Sequence, residues 1–129
     1  MSTAVTVDLS LDQGSDFGVQ IYWVDGSQNP FTVLSPMRME IRDELNNVLY
    51  TLQSDDDQTD PTLQTILYNS ESGLIQLMIP AVDSSNFPPG IYNYDLWVTY
   101  QDNAVTNQTR LRPLIRGNVY VNGRVTKVL

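Results

Sequence analysis

Apolar and polar residues alternate at a period of two along almost the whole chain. That feature constrains the fold most, because only an extended strand sends successive side chains to opposite faces. Val5, Val7, Leu9 and Leu11 alternate with Thr6, Asp8 and Ser10, and Phe17, Val19, Ile21 and Trp23 with Gly18, Gln20 and Tyr22. Met37, Met39 and Ile41 alternate with Arg38, Glu40 and Arg42, and Asn46-Asn47 reverses the chain into a strand over 48–52. Further strands are predicted over 63–68 and 74–79, then a crossover at 80–90 with one helical turn near 84–87. In 91–100, Tyr92, Tyr94, Leu96, Val98 and Tyr100 take one face and Trp97 the other. Segments 105–112, 114–121 and 125–129 continue as extended chain, and Pro113 confines its position to a sheet edge, a bulge or a bend. About eight to ten short strands with Gly, Asn, Asp and Pro between them predict an all-β, antiparallel two-sheet sandwich.

The chain of 129 residues reads as one domain over 1–129, with an exposed acidic loop at 53–62 and a basic closing segment at 110–129. Pro89-Gly90-Ile91-Tyr92 has the layout of a tyrosine corner, in which a Tyr near the start of a late strand returns its hydroxyl to nearby backbone. That makes the sandwich immunoglobulin-like and gives Tyr92 a structural role, and the alternation of Phe17, Val19, Ile21 and Trp23 predicts that Trp23 is buried in the core. Tyr94 stands where an immunoglobulin domain would carry its second Cys, so packing alone must hold this core.

There is no Cys and no His in the sequence. Their absence removes thiolate metal sites, cysteine nucleophiles, Ser-His-Asp arrangements and the usual neutral-pH general base. The cluster Asp55, Asp57 and Asp60 starts like a calcium loop, but Asp60 stands where that loop needs Gly and Ile66 where it needs Glu. No catalytic, cofactor-binding or metal-binding residue is therefore expected, and no small-molecule ligand. No apolar run approaches the ~20 residues of a membrane helix. The first eleven residues lack the charged and apolar regions of a secretory signal. The expectation is a soluble, non-enzymatic protein made in the cytoplasm.

Net charge is −8, which opposes nucleic-acid binding, and it is unevenly spread. Residues 1–102 carry −13 and residues 103–129 carry +5, from Arg110, Arg112, Arg116, Arg124 and Lys127. If the closing strand lies at a sheet edge, these five cations form one surface attracted to an acidic neighbour. They are the candidate partner interface, with the apolar face around Trp97 as the next candidate.

Five segments in order resemble small β-sandwich virion proteins of tailed bacteriophages, of the baseplate-upper-protein-like and LtfC-like kinds. They are Asp12-Gln13-Gly14-Ser15-Asp16-Phe17, Gly73-Leu74-Ile75-Gln76-Leu77, Pro89-Gly90-Ile91-Tyr92-Asn93-Tyr94-Asp95-Leu96, Leu114-Ile115-Arg116-Gly117-Asn118-Val119-Tyr120-Val121 and Val125-Thr126. The resemblance implies a structural component of the particle, in the tail, tail fibre or baseplate. Such a protein is located in the virion and acts by contact with other virion proteins or with copies of itself. A capsid decoration protein and a carbohydrate-binding module are the alternatives. A sugar binder would line a concave face with exposed aromatic rings.

Overall fold

A computed structural model describes residues 4–54, 65–69, 71–101 and 108–124. In chain order the elements are β1 (Val5–Thr6), β2 (Leu9–Asp12), β3 (Phe17–Tyr22), β4 (Thr32–Arg42), β5 (Val48–Gln53), β6 (Ile66–Asn69), β7 (Leu74–Ile79), α1 (Ala81–Ser84), β8 (Gly90–Gln101) and β9 (Thr109–Asn122). The larger sheet runs β1-β9-β8-β4-β5, with β2 also on β9, and the smaller runs β3-β7-β6. This is the strand order of an immunoglobulin-like sandwich: β9, β8, β4 and β5 take the places of strands G, F, C and C′, and β3, β7 and β6 those of B, E and D.

Alternation explains how the sheets close on one another. Met37, Met39 and Ile41 from β4 and Leu96 and Val98 from β8 meet Ile75, Leu77 and Ile79 from β7, all almost fully buried. Each such side chain contributes about 1.5–3 kcal/mol relative to exposure. Phe17, Val19 and Ile21 face the same core but are only half-buried, because β3 is an edge.

Several expectations are corrected by long-range pairing. The apolar run Val5 to Leu11 does not make one strand. It breaks at Val7-Asp8 into β1 and β2, which pair parallel to β9, so that Leu9 and Leu11 are buried while Val5 is 61% exposed. At the break the Val7 N–H donates to the Arg116 carbonyl at 2.7 Å, and Asp8 Oδ1 accepts the Asn118 N–H at 3.0 Å. Gly117 lies beneath it, where a Cβ would come within 2.3 Å of the Val7 carbonyl oxygen. The two expected strands around Pro113 are one strand, β9, and Pro113 sits at a bulge: Trp97 pairs with Pro113, and Leu96 with Ile115. From Ile115 to Asn122, β9 is an inner strand rather than an edge. The helical turn lies at 81–84, earlier than expected, and follows Pro80. The acidic residues Asp55, Asp57 and Asp60, the segment 105–107 and the strand expected over 125–129 lie outside the described residues.

Three tyrosines tie elements together. The Tyr92 hydroxyl donates to the Pro88 carbonyl at 2.6 Å, which makes the tyrosine corner as expected. The Tyr94 hydroxyl donates to the Val7 carbonyl at 2.5 Å, and that of Tyr50 to Asp83 Oδ2 at 2.6 Å. At the same end of the sandwich the buried Ser84 hydroxyl donates to the Ser15 carbonyl and accepts the Gly14 N–H, so α1 is fastened to the β2–β3 turn.

Tyr92→Phe keeps the ring and loses the bond, so its denaturation midpoint should report a loss of about 1 kcal/mol. Burial, with the nearby Asp8 charge, pushes the Tyr94 phenol up to about 12. A raised phenol stabilises the fold fully below the unfolded value of about 10, and that contribution is lost as pH rises towards the folded value. Stability measured between those limits should therefore fall with pH, less steeply in Tyr94→Phe than in the parent chain.

Candidate interaction face

Two prolines shape the outer face of the larger sheet. On one side of β8, β4 shifts register between Leu34 and Arg38, where Ser35 and Pro36 are extra and the Pro36 carbonyl accepts the Thr99 hydroxyl at 2.7 Å. On the other side β9 bulges at Pro113. Both irregularities flank the same few residues of β8. A bulge bends its strand and raises the local twist, so the sheet opens there and presents Trp97, 40% exposed, at its centre.

Around Trp97 lies a groove of about 750 Å³, lined among others by Arg38, Glu40, Arg42, Asp95, Leu111 and Arg116. On β4 and β8 alternate residues point this way, and on β9 the bulge brings Leu111 and Arg116 to the same face. Trp97 Nε1 donates to Asp95 Oδ2 at 3.1 Å, fixing the indole beside the carboxylate. Glu40 is clamped: Arg38 takes Oε2 through Nε and Nη2, and Arg42 takes Oε1 through the same pair of nitrogens. The bonds from Arg42, then those from Arg38, hold the Glu40 carboxyl below its ordinary range against the opposing effect of burial. A carboxylate so held is the reverse of a general acid, which needs a raised value and a free oxygen. Across the groove the Arg116 guanidinium has no hydrogen-bond or ion-pair partner among the described residues, and Leu111 is 62% exposed. The face thus offers an indole, an aliphatic side chain and one uncommitted cation.

The structure divides the expected basic surface. Arg116 and Trp97 share the groove. Arg110 and Arg112 pair with Tyr100 and Val98, whose side chains face inward, so they lie on the opposite face of the sheet at one end of the sandwich. Arg112 stands over the Trp23 ring at 5.6 Å, and Arg110 donates to Gln108 Oε1 at 2.8 Å. Arg124 follows the other end of β9 and donates to the Gly14 carbonyl at 3.1 Å. Lys127 lies outside the described residues. The bulge is the cause. A regular strand would put Arg110, Arg112 and Arg116 on one face, and the extra residue at Leu114 sends Arg116 to the other.

Arg38, Glu40 and Leu111 are groove-lining residues that sequence reasoning missed. The pattern Arg38-x-Glu40-x-Arg42 on one strand face was the available signal for the first two; Leu111 carried none, because its face depends on the bulge. Among the described residues no group of three or more Asp or Glu side chains could hold a metal ion, and no helix is long and apolar enough to cross a membrane.

No family model matches the sequence, and no curated protein matches it. Among solved structures, the extracellular domain of the voltage-gated sodium channel beta4 subunit is similar over 97% of this chain and 98% of that one, with 10% identity and a TM-score of 0.34. That protein forms parallel homodimers, which explain its role in cell–cell adhesion. A likeness of this size carries no argument for the present chain. The sandwich stands on its own strand order and register.

At the end of the sandwich where Arg112 lies, Trp23 stacks on Phe31 with centroids 4.2 Å apart and meets Tyr100 edge-on at 4.8 Å. Because Trp23 is half-buried, Trp23→Ala should cost about 2–3 kcal/mol in denaturant unfolding, below the roughly 3–5 kcal/mol of a fully enclosed ring.

Proposed function

We propose that this chain is a non-enzymatic structural protein of a tailed-bacteriophage particle, associated with the tail, a tail fibre or the baseplate, and that it works by protein–protein contact through the outer face of the larger sheet. The observation that carries the contact reading is Trp97, held by Asp95 and exposed between two proline bulges, with Leu111 and the uncommitted Arg116 beside it. Interface centres are enriched in Trp and Arg because both combine large contact area with directed polar groups. The resemblance of the five segments supports the virion setting, and the missing His and Cys support a role without catalysis. The groove also gives the carbohydrate-binding alternative one aromatic ring, Trp97, which a sugar could stack on.

Mass spectrometry of purified particles should find the chain in stoichiometric amount. A double variant, Trp97→Ala with Arg116→Glu, should lose incorporation about tenfold or more, since each centre residue costs over about 1 kcal/mol. Both side chains face outward, so its unfolding midpoint should stay close to that of the parent. Normal incorporation overturns this interface, and absence from particles overturns the virion setting. Saturable quenching of Trp97 fluorescence by a soluble polysaccharide, lost in the variant, would favour the sugar-binding alternative.

A further inference from the structure

We propose that the outer edge of β3 pairs antiparallel with the same edge of a second copy of this chain, joining the two three-stranded sheets into one continuous sheet. The direction of the main chain along β3 follows from Trp23, whose N–H donates to the Gly73 carbonyl at 2.9 Å. Counting back by twos, Ile21, Val19 and Phe17 turn their N–H and C=O groups towards β7, while Tyr22, Gln20 and Gly18 turn theirs away. Among the described residues no strand pairs with that outward set.

Sheet edges are ordinarily blunted by charge, Pro, a bulge or shortness. None of these protects β3, which runs six residues, Phe-Gly-Val-Gln-Ile-Tyr, in unbroken register. The other open edges are less available: β1 has two residues, β2 and β6 have four each, and the end of β5 is engaged by Thr65, whose hydroxyl accepts the Gln53 N–H at 2.8 Å. Asp16, next to β3, turns its carboxylate to the Ala81 N–H at 2.7 Å.

A second copy is the occupant because the outward set is symmetric about Gln20. A two-fold axis there pairs Gln20 with its own counterpart and Gly18 with the partner's Tyr22, each pair exchanging both hydrogen bonds. Tyr22, 63% exposed, then covers a glycine across the strands, a recognised way of shielding a bare edge position. On the inner side, Val19 faces the partner's Ile21 and Phe17 the partner's Trp23. The half-buried inner residues of β3 thereby gain the apolar neighbour they lack. In a chain of net charge −8, an uncharged strand is also where two copies meet with least repulsion.

A contact confined to one strand edge falls below the roughly 1,200 Å² of stable complexes, so the dimer is weak in dilute solution and strengthens where copies are held close together. Sedimentation velocity of the full chain, taken to millimolar concentration, should show a reversible monomer–dimer equilibrium. Amide exchange at Gly18, Gln20 and Tyr22 should slow as the dimer fills. Gln20→Lys and Gln20→Glu each place like charges opposite one another at the axis, and each should weaken association about tenfold. An equimolar mixture of the two should restore it. A chain that stays monomeric throughout overturns the proposal, as does a dimer indifferent to both variants. The virion reading is judged separately: a monomer that enters particles refutes only the edge pairing, and a dimer absent from particles refutes only the virion setting.

Discussion

The Tyr94 hydroxyl reaches from the middle of β8 to the Val7 carbonyl, and the rest of the arrangement depends on that bond. It fixes the N-terminal segment at the point where β1 ends, with Gly117 giving the backbone room to pass and Asp8 capping the Asn118 N–H. An immunoglobulin domain commonly uses a disulfide between its sheets at the position of Tyr94. Here a neutral, buried phenol bonds to backbone instead, which requires the phenol to remain protonated. Both N-terminal strands are thereby committed to β9, and among the described residues no strand is left for the smaller sheet. Its three strands and the open side of β3 follow directly.

The second organising constraint is a pair of prolines. Neither Pro36 nor Pro113 can donate to a ladder, and each sits where its strand shifts register against β8. The breaks flank the same stretch of β8, and together they expose Trp97 and hollow the groove beside it. The ion pairs around Glu40 are of a different kind: Arg38 is more than half exposed, and such pairs add little to folding. They occupy both oxygens of Glu40, and of the three groove arginines only Arg116 keeps no ion-pair partner among the described residues.

The proposed contact role rests on what the groove holds. The one groove carboxylate clamped by two arginines, Glu40, is held ionised with both oxygens occupied, whereas the aromatic, aliphatic and cationic groups around it are those that anchor protein contacts. The outer face and the β3 edge lie on different sheets of the sandwich. If both are used, one copy can hold a partner through the first and another copy through the second without the two sites competing, which is what an assembling protein requires.

The sequence by itself determined the class of fold, because strict alternation admits only strands and the absent Cys and His removed other ways of holding the chain together. It also determined the tyrosine corner, since Tyr92 bonds to a residue four positions away and the motif is local. Only the tertiary structure decided that Val5 to Leu11 divides in two and runs parallel to β9, for this depends on a hydroxyl 87 positions further along. Only it decided that the closing cations do not form one surface. The face on which a strand residue lies is a matter of parity, and a single extra residue reverses it. Pro113 marked the place where that could happen, but the count is set by which residues of β8 lie opposite, and alternation within β9 carries no record of its neighbour.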